Sequence, residues 1–371
     1  MFARSSRSRF LASSAAVLAA AGATGAGAQE MSPAPMAGMP AFPPLPPLPA
    51  ADAGADADMA RVIRQLVAFN APKIETVTPG VARELPSFAD ALHATLSRDG
   101  KPCVLPVAAI AHRVISGPGG PLLMRIYTPA GSGPFPVVVY YHGGGFVIAD
   151  LDTYDASPRG LANMAGAIVV SVAYRKAPEH PFPAAAQDAF AAYRWIVANA
   201  AAIGGDPRRV AVAGESAGGN LAAVTAIQAR DHGVRPPVHQ LLVYPVVDFT
   251  AKPPSFVQHA AAVPLDTPAL AWFGKYYLTS MAVGKNPLAS PILTPSLRNL
   301  PPATIVNAEI DPLRDGGAAY AAKLKAAGNT VTRTLYPGVT HEFFGMYAAV
   351  AKAQTAMQRA ASALRTAFGT A

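Results

Sequence analysis

The sequence contains little cysteine and little charge, and each shortage excludes a class of protein. Cys103 is the only cysteine among 371 residues, which excludes an intrachain disulfide framework and any cysteine-based zinc or iron–sulfur site. Charged residues make up 14% of the chain and hydrophobic residues 51%, which excludes general disorder. Apart from an Ala-rich N-terminal stretch, no uncharged apolar run has the length and strength of a bilayer span, so we expect no stable membrane anchor.

The net charge of +8 is weak support for a nucleic-acid partner. Three of the 30 basic residues lie within the first ten positions, at Arg4, Arg7 and Arg9. The other 27 (30 − 3) are scattered and form no basic stripe. We therefore predict no nucleic-acid partner. The G-x-G-x-x-G sequence of dinucleotide-binding proteins is also missing.

The first 58 residues are predicted to hold a leader and a tether. Residues 1–28 combine the three arginines with a short apolar stretch at 11–21 and an A-x-A cleavage site at 26–28, the pattern of a secretory signal peptide. Residues 31–50 contain eight prolines, which favours an extended polyproline II conformation. We therefore expect a Pro-rich tether over 29–58 and an exported protein, periplasmic or secreted.

From about residue 110, short apolar runs alternate with longer stretches of helical periodicity. The predicted strands span 110–115, 122–127, 137–141, 167–172, 210–213, 240–244, 303–307 and 331–336. The clearest predicted helices span 59–69, 185–201, 217–230, 317–327 and 346–367. This pattern predicts an α/β fold over 59–371, with a mostly parallel eight-stranded sheet, an antiparallel start, and helices on both faces.

Two segments do not follow this alternation. Residues 59–109 precede the sheet, and residues 249–300 separate the sixth and seventh predicted strands. We predict that both are cap elements at the rim of the sheet; surface decoration without contact to substrate is the alternative. In sheets of this kind, the chemistry takes place beyond the carboxyl ends of the strands.

The sequence Gly214-Glu215-Ser216-Ala217-Gly218 follows one predicted strand and precedes a predicted helix. A serine on such a sharp turn is strained, and small neighbours allow the tight packing that the turn needs. Its hydroxyl would be exposed at the helix N-terminus, where backbone N–H groups favour an anion. We predict that Ser216 is a nucleophile; a plain glycine-rich turn is the alternative.

A second turn, His142-Gly143-Gly144-Gly145-Phe146, follows the third predicted strand. Three successive glycines let backbone N–H groups point inward without an obstructing Cβ, which suits the binding of an oxyanion. A phosphate-binding loop is excluded because no Gly-Lys-Ser/Thr follows and the run does not open a helix.

A serine nucleophile needs a base, and the base needs an acid that orients it. Of the eight histidines, His341 lies just past the last predicted strand, at the catalytic edge. Asp311 holds the matching position after the seventh strand. The alternative acids are Asp315, Glu309 and Asp248. The order Ser216, Asp311, His341 is the one expected of a serine triad on such a sheet.

The residues from His341 to Gly345 nearly match the H-E-x-x-H zinc motif, but glycine stands where the second histidine is needed. A metallopeptidase is therefore excluded, and we predict neither a metal nor a cofactor.

Four motifs together resemble the hormone-sensitive-lipase-like family of α/β-hydrolases, the bacterial family IV esterases. They are Tyr141 to Phe146 (Y-H-G-G-G-F), Tyr174 to Pro183 (Y-R-K-A-P-E-H-P-F-P), Gly214 to Asn220 (G-E-S-A-G-G-N) and Asp311 to Asp315 (D-P-L-R-D). The likeness extends from about Met59 to the C-terminus. It implies an α/β-hydrolase fold with a cap and a serine carboxylesterase acting on short- to medium-chain acyl esters.

The resemblance also implies roles for individual residues. Ser216 would be the nucleophile, His341 the base, and Asp311 the acid that orients it. The residues whose N–H groups would form the oxyanion hole are Gly144, Gly145 and Ala217. The residues that would support them are His142, Gly143, Glu215, Arg175 and Glu179, of which the last two would brace the glycine turn.

One departure from the family and two alternative functions are left open. The family usually has glycine after the catalytic histidine, where this chain has Glu342. This carboxylate could raise the imidazole pKa and modestly change the pH optimum, or it could point at solvent.

An amidase or arylformamidase would use the same triad, whereas a non-catalytic receptor of the same fold is disfavoured because His341 is present. A homo-oligomer is compatible with the sequence.

Overall fold

The structure is a computed structural model that describes residues 42–370. The predicted signal peptide at 1–28 and the first part of the predicted tether lie outside the described residues. From Pro44 onward, the described residues belong to one compact unit. In the part of the chain that the structure describes, no helix is both long enough and apolar enough to cross a membrane.

The predicted tether over 29–58 ends earlier than expected, because residues 44–58 belong to the compact unit. A short 3-10 turn places the side chain of Asp52 in a fully buried position. The backbone N–H of Asp56 donates a hydrogen bond to the carbonyl of Gly338, 2.8 Å away. Alanine and aspartate replace proline here, so the backbone again has N–H donors that can bind to the rest of the fold.

The eight predicted strands form one sheet, and the predicted fold class is confirmed. The strands are β1 (Ala109–Gly117), β2 (Gly120–Thr128), β3 (Phe135–Tyr141), β4 (Ile168–Val172), β5 (Gly205–Glu215), β6 (Gln240–Val243), β7 (Ala303–Ile310) and β8 (Val331–Thr340). Their order is β1-β2-β4-β3-β5-β6-β7-β8. The β1–β2 and β2–β4 pairs are antiparallel, and all later pairs are parallel.

Helices cover both faces of the sheet. They are α1 (Ala57–Ala68), α2 (Pro79–Ala82), α3 (Phe88–Arg98), α4 (Ala156–Ala165), α5 (Ala184–Asn199), α6 (Ala217–Asp231), α7 (Pro254–Gln258), α8 (Thr267–Tyr277), α9 (Arg314–Ala326) and α10 (Ala351–Phe368). Side chains alternate along β3, so that Val137 and Val139 join the core formed with α5 and α6. Val138 and Tyr140 join the opposite core, formed with α4 and α10.

The helix predicted over 346–367 begins later, at Ala351. A 3-10 turn, Phe343–Met346, precedes it, and Glu342 enters that turn with a left-handed backbone φ of 71°. This break keeps the segment after β8 at the edge of the sheet before α10 starts.

The two predicted cap segments meet, although part of the first one belongs to the core. Helices α1 and α3 are buried through Met59 and Leu92 in the core that contains α4 and α10, so they are not rim elements. The stretch between α1 and α2 contacts the insertion after β6: Trp272 Nε1, in α8, donates a 3.1 Å hydrogen bond to the carbonyl of Val77.

Candidate active site

Ser216 lies at the turn between β5 and α6, with a backbone geometry that few residues adopt. Its φ of 56° and ψ of −116° lie outside the regions favoured by L-residues. Glycine is needed nearby, because a Cβ at Gly218 would lie 2.5 Å from the carbonyl oxygen of His142 and closer still to that of Tyr141. Helix α6 begins at Ala217, so N–H groups without helical partners lie at the turn.

His341 and Asp311 are adjacent because β7 and β8 are neighbouring strands and a register shift pairs their last residues. Ile310, the last residue of β7, pairs with Thr340, the last residue of β8, and the aspartate and histidine follow directly. Nδ1 of His341 lies 2.8 Å from Oδ2 of Asp311, and both side chains are buried. With Nδ1 bonded to the carboxylate, Nε2 is the ring nitrogen that can accept a proton.

The three alternative acids interact elsewhere. Asp315 is ion-paired with its neighbour in α9, and Glu309 and Asp248 accept hydrogen bonds from backbone N–H groups.

Burial lowers the pKa of His341, but the nearby carboxylates, Asp311 foremost, outweigh it and raise this pKa above its usual value. Within residues 42–370, no group of three or more histidine, cysteine, aspartate or glutamate side chains is arranged to hold a metal ion.

The glycine turn lies beside the serine turn because β3 and β5 are adjacent. Tyr141, the last residue of β3, pairs with Gly214 near the end of β5. Gly144 and Gly145 have φ values of 95° and 59°, in the left-handed region that glycine adopts without strain. The fold thus brings the backbone of these two glycines and of Ala217 to the same edge of the sheet.

A strained serine, a buried histidine–aspartate pair and a glycine turn therefore lie at the carboxyl ends of strands β5, β7, β8 and β3, at one edge of the sheet. Residues 138–345 match the protein family described as the α/β hydrolase fold. The chain belongs to the α/β-hydrolase family. Its resemblance to the hormone-sensitive-lipase-like branch is confirmed by the family match and by its relatives.

Several relatives of this α/β-hydrolase carry esterase names. Carboxylesterase NlhH of Mycobacterium tuberculosis is 44% identical over 272 residues, which are 72% of this chain and 85% of the relative. Ethyl acetate hydrolase of Pseudomonas putida is 38% identical over 67% of this chain and 79% of the relative. Among solved structures, a hyperthermophilic esterase from Pyrobaculum calidifontis is 38% identical, with a TM-score of 0.78 over 85% of this chain and 99% of that chain.

The two residues expected to brace the glycine turn behave differently in this α/β-hydrolase. Glu179 binds Arg83 through two 2.7 Å hydrogen bonds, and Arg83 Nε donates to the carbonyl of Val147, just past the glycine turn. Arg175 instead forms a two-pronged ion pair with Asp188 of α5. Sequence reasoning missed Arg83, because a partner 96 residues away carries no signal in local spacing.

His142 is held inside the glycine turn as a structural residue. Burial lowers its pKa to about 4, so the ring is neutral near pH 7. Its ring stacks on Tyr174 at 4.3 Å between centroids. The Tyr174 hydroxyl donates to the carbonyls of His142 (2.9 Å) and Gly143 (3.1 Å). Tyr174 thus holds the glycine turn in place. The family motif that begins at this residue did not reveal this role.

Two glutamates, the buried Glu215 and the half-buried Glu342, lie beside the histidine–aspartate pair. Glu215 accepts a 2.5 Å hydrogen bond from the Tyr140 hydroxyl and another from the Tyr244 hydroxyl. Glu342 accepts a 2.5 Å hydrogen bond from the Tyr154 hydroxyl, so its side chain points inward rather than at solvent. Burial, and then the charge of Glu342, raise the pKa of Glu215 to about 7. The sequence did not single out the three tyrosines, which resemble ordinary core residues.

Proposed function

We propose that this protein is a serine carboxylesterase that hydrolyses short- to medium-chain acyl esters through an acyl-enzyme on Ser216. The observation that carries the proposal is the 2.8 Å contact between His341 Nδ1 and Asp311, made at the same sheet edge as the strained Ser216. The esterase names of relatives at up to 44% identity support the same reaction.

In this mechanism, His341 Nε2 takes the proton of the Ser216 hydroxyl as its oxygen attacks the ester carbonyl. The resulting oxyanion is held by the N–H groups of Gly144, Gly145 and Ala217, and the positive end of the 15-residue α6 adds to this stabilisation. His341 then gives the proton to the leaving alcohol, and water hydrolyses the acyl-enzyme by the same route.

Aromatic side chains beside the glycine turn support a small acyl group. The ring of Phe273, in α8, lies against Gly145, where an added Cβ would be only 2.7 Å from ring atom Cε1. Phe146 stacks on Tyr277 with ring centroids 3.8 Å apart, and all three rings are buried. The cap helix therefore narrows the space next to the oxyanion site.

The direct test is hydrolysis of a p-nitrophenyl ester series, from acetate to palmitate, by the wild type and by Ser216→Ala. We expect a maximum at short to medium chains and loss of activity in Ser216→Ala. Ser116→Ala, which removes an exposed hydroxyl from the β1–β2 hairpin, is the matched control and should keep full activity.

Two results would overturn the proposal. One is retention of activity in Ser216→Ala. The other is a wild-type protein that cleaves p-nitroanilides or aryl formamides but no ester, which would assign an amidase. A fluorophosphonate probe, read by mass spectrometry, should label the wild type at Ser216 and leave the alanine variant unlabelled.

We also propose that the protein is exported, on the basis of the signal-like pattern in residues 1–28. Expression of the full chain followed by N-terminal sequencing of the mature protein tests this: a new terminus at Gln29 in the periplasm or medium supports export. An intact Met1 terminus in the cytoplasm would contradict it. A homo-oligomer stays a prediction that sedimentation can test.

A further inference from the structure

Glu342 occupies a backbone position that normally disfavours a large side chain. Its φ of 71° lies in the left-handed region, where residues other than glycine, asparagine and aspartate are uncommon. Glu342 directly precedes the 3-10 turn Phe343–Met346. Strain of this kind persists where the surrounding structure enforces it, and it concentrates at functional sites.

The Glu342 side chain is directed at the reactive side of the imidazole. Oε1 of Glu342 lies 3.8 Å from Nε2 of His341, whereas Asp311 binds the opposite ring nitrogen. The same oxygen accepts the 2.5 Å hydrogen bond from Tyr154. The Tyr154 hydroxyl in turn lies against Gly143, where an added Cβ would be 2.8 Å from the ring atom that bears the hydroxyl. The side chain of Tyr154 thus links Glu342, in the loop that carries His341, to the glycine turn.

Titratable groups from six other elements or loops surround this contact. The titratable groups that face His341 or Glu342 are Tyr140 of β3, Tyr154 before α4, Tyr174 after β4, Glu215 at the end of β5, Tyr244 after β6 and Asp311 after β7. All of them are acids, and no cationic group other than His341 itself is among them. Burial raises the pKa of Glu342, and the charge of His341 opposes this rise.

A small cavity reaches the two glutamates from the side of α3 and α4. Its volume is about 50 Å³, and Tyr154, Glu215 and Glu342 form part of its lining. This volume suffices for one or two water molecules. Ser216 does not line this cavity, so the cavity approaches the two carboxylates from a different side than the serine.

We propose that Glu342 is a positioning residue: held by Tyr154, its carboxylate steadies the His341 imidazole from the side of Nε2 and sets the pH at which this nitrogen can accept a proton. The inference rests on the proposed triad and deepens it. The sign follows from Coulomb attraction. An ionised Glu342 favours the imidazolium, so His341 becomes a competent base only at a higher pH than it would without this charge.

The test compares the pH dependence of kcat/KM for the wild type, Glu342→Gln and Tyr154→Phe. The glutamine variant keeps the shape of the side chain and removes its charge, so its acidic limb should move to lower pH by about 1 to 3 units, the usual effect of a charge within 4–6 Å. Tyr154→Phe removes a hydrogen bond that favours the carboxylate, so its limb should move in the same direction by a smaller amount.

The matched control is Asp231→Asn, which removes one negative charge from the exposed C-terminal end of α6. This end is about 22 Å from Ser216, given 15 residues at 1.5 Å each, so salt should screen its charge and leave the pH profile unchanged. Glu342→Gly provides a second variant that relieves the positive φ. It should show the same downward shift as Glu342→Gln if the charge is responsible.

An acidic limb in both Glu342→Gln and Glu342→Gly that coincides with the wild type would overturn the proposal. A second readout is independent of catalysis: NMR titration of the His341 ring, assigned by its loss in His341→Asn, should give a lower pKa in Glu342→Gln. If the wild type proves inactive on esters, the proposed function fails while this titration still decides the role of Glu342.

Discussion

The contact between the serine turn and the glycine turn predicts a large effect for a single methyl group. In Gly218→Ala, the new Cβ would lie 2.5 Å from the carbonyl oxygen of His142 and closer to that of Tyr141, whereas real Cβ atoms keep at least 3.0 Å. The His142 oxygen alone therefore requires the two turns to separate by half an ångström (3.0 − 2.5), and the nearer Tyr141 oxygen requires about twice as much. Both obstructing atoms are backbone oxygens at the end of β3, which is paired with β5. No side-chain rotation can therefore relieve the overlap.

Two quantities follow from this displacement. Overpacking of a rigid interior typically costs about 1–3 kcal/mol, and we expect a cost near the upper value because only backbone can move. Misplacing catalytic groups by about 1 Å costs roughly 100-fold in rate, so a shift of half that size or more should lower kcat/KM by about 10- to 100-fold. The free energy of unfolding is measured by urea denaturation, and kcat/KM with p-nitrophenyl butyrate.

The matched control adds the same methyl group where the structure has room. A Cβ at Gly274, within α8, would have no heavy atom within 4 Å. Gly274→Ala should therefore stabilise the protein by up to about 1 kcal/mol through helix propensity and leave kcat/KM unchanged. The reasoning is refuted if Gly218→Ala matches the wild type in both stability and kcat/KM.

Three further predictions concern the base, the cap and the N-terminal segment. Asp311→Asn should lower kcat by about 10⁴-fold with little change in KM, as the imidazole loses its orienting carboxylate; a loss below 10-fold in steady-state assays would argue against this role. Phe273→Ala should raise the ratio of octanoate to butyrate hydrolysis about 10-fold, since it removes the ring over Gly145, and an unchanged ratio would place the acyl group elsewhere. Burial raises the pKa of Asp52 to about 6, although its carboxylate accepts a hydrogen bond from Val263 N–H. The buried, ionised carboxylate therefore lowers the free energy of unfolding fully above about pH 6, and this cost disappears as the pH falls toward 4. Asp52→Asn should increase the free energy of unfolding by as much as about 3 kcal/mol at pH 7.5, and should not increase it at pH 4. Equal effects at the two pH values would contradict this assignment.

Local patterns predicted most of the sheet but not every helix. The nearly all-apolar runs of β3 and β4 identify buried parallel strands, because both faces of such strands are covered. Helix α4 escaped prediction because Pro158 and Gly160 lower its helix propensity. The structure explains the glycine: a Cβ there would come within 2.7 Å of the Tyr347 ring, so close packing stabilises a helix that its own sequence disfavours.

The sequence by itself determined the fold class and the catalytic motifs, since Ser216 and the three glycines each lie in a short pattern whose geometry is local. The sequence also predicted Asp311 as the acid, but only the tertiary structure shows that it binds the imidazole while Asp315, Glu309 and Asp248 do not. The register that pairs Ile310 with Thr340 brings Asp311 to His341, and strand order is a long-range property. The inward direction of Glu342 was also decided there. It depends on a left-handed backbone turn and on Tyr154, 188 residues away in the chain, and neither leaves a mark in the local sequence.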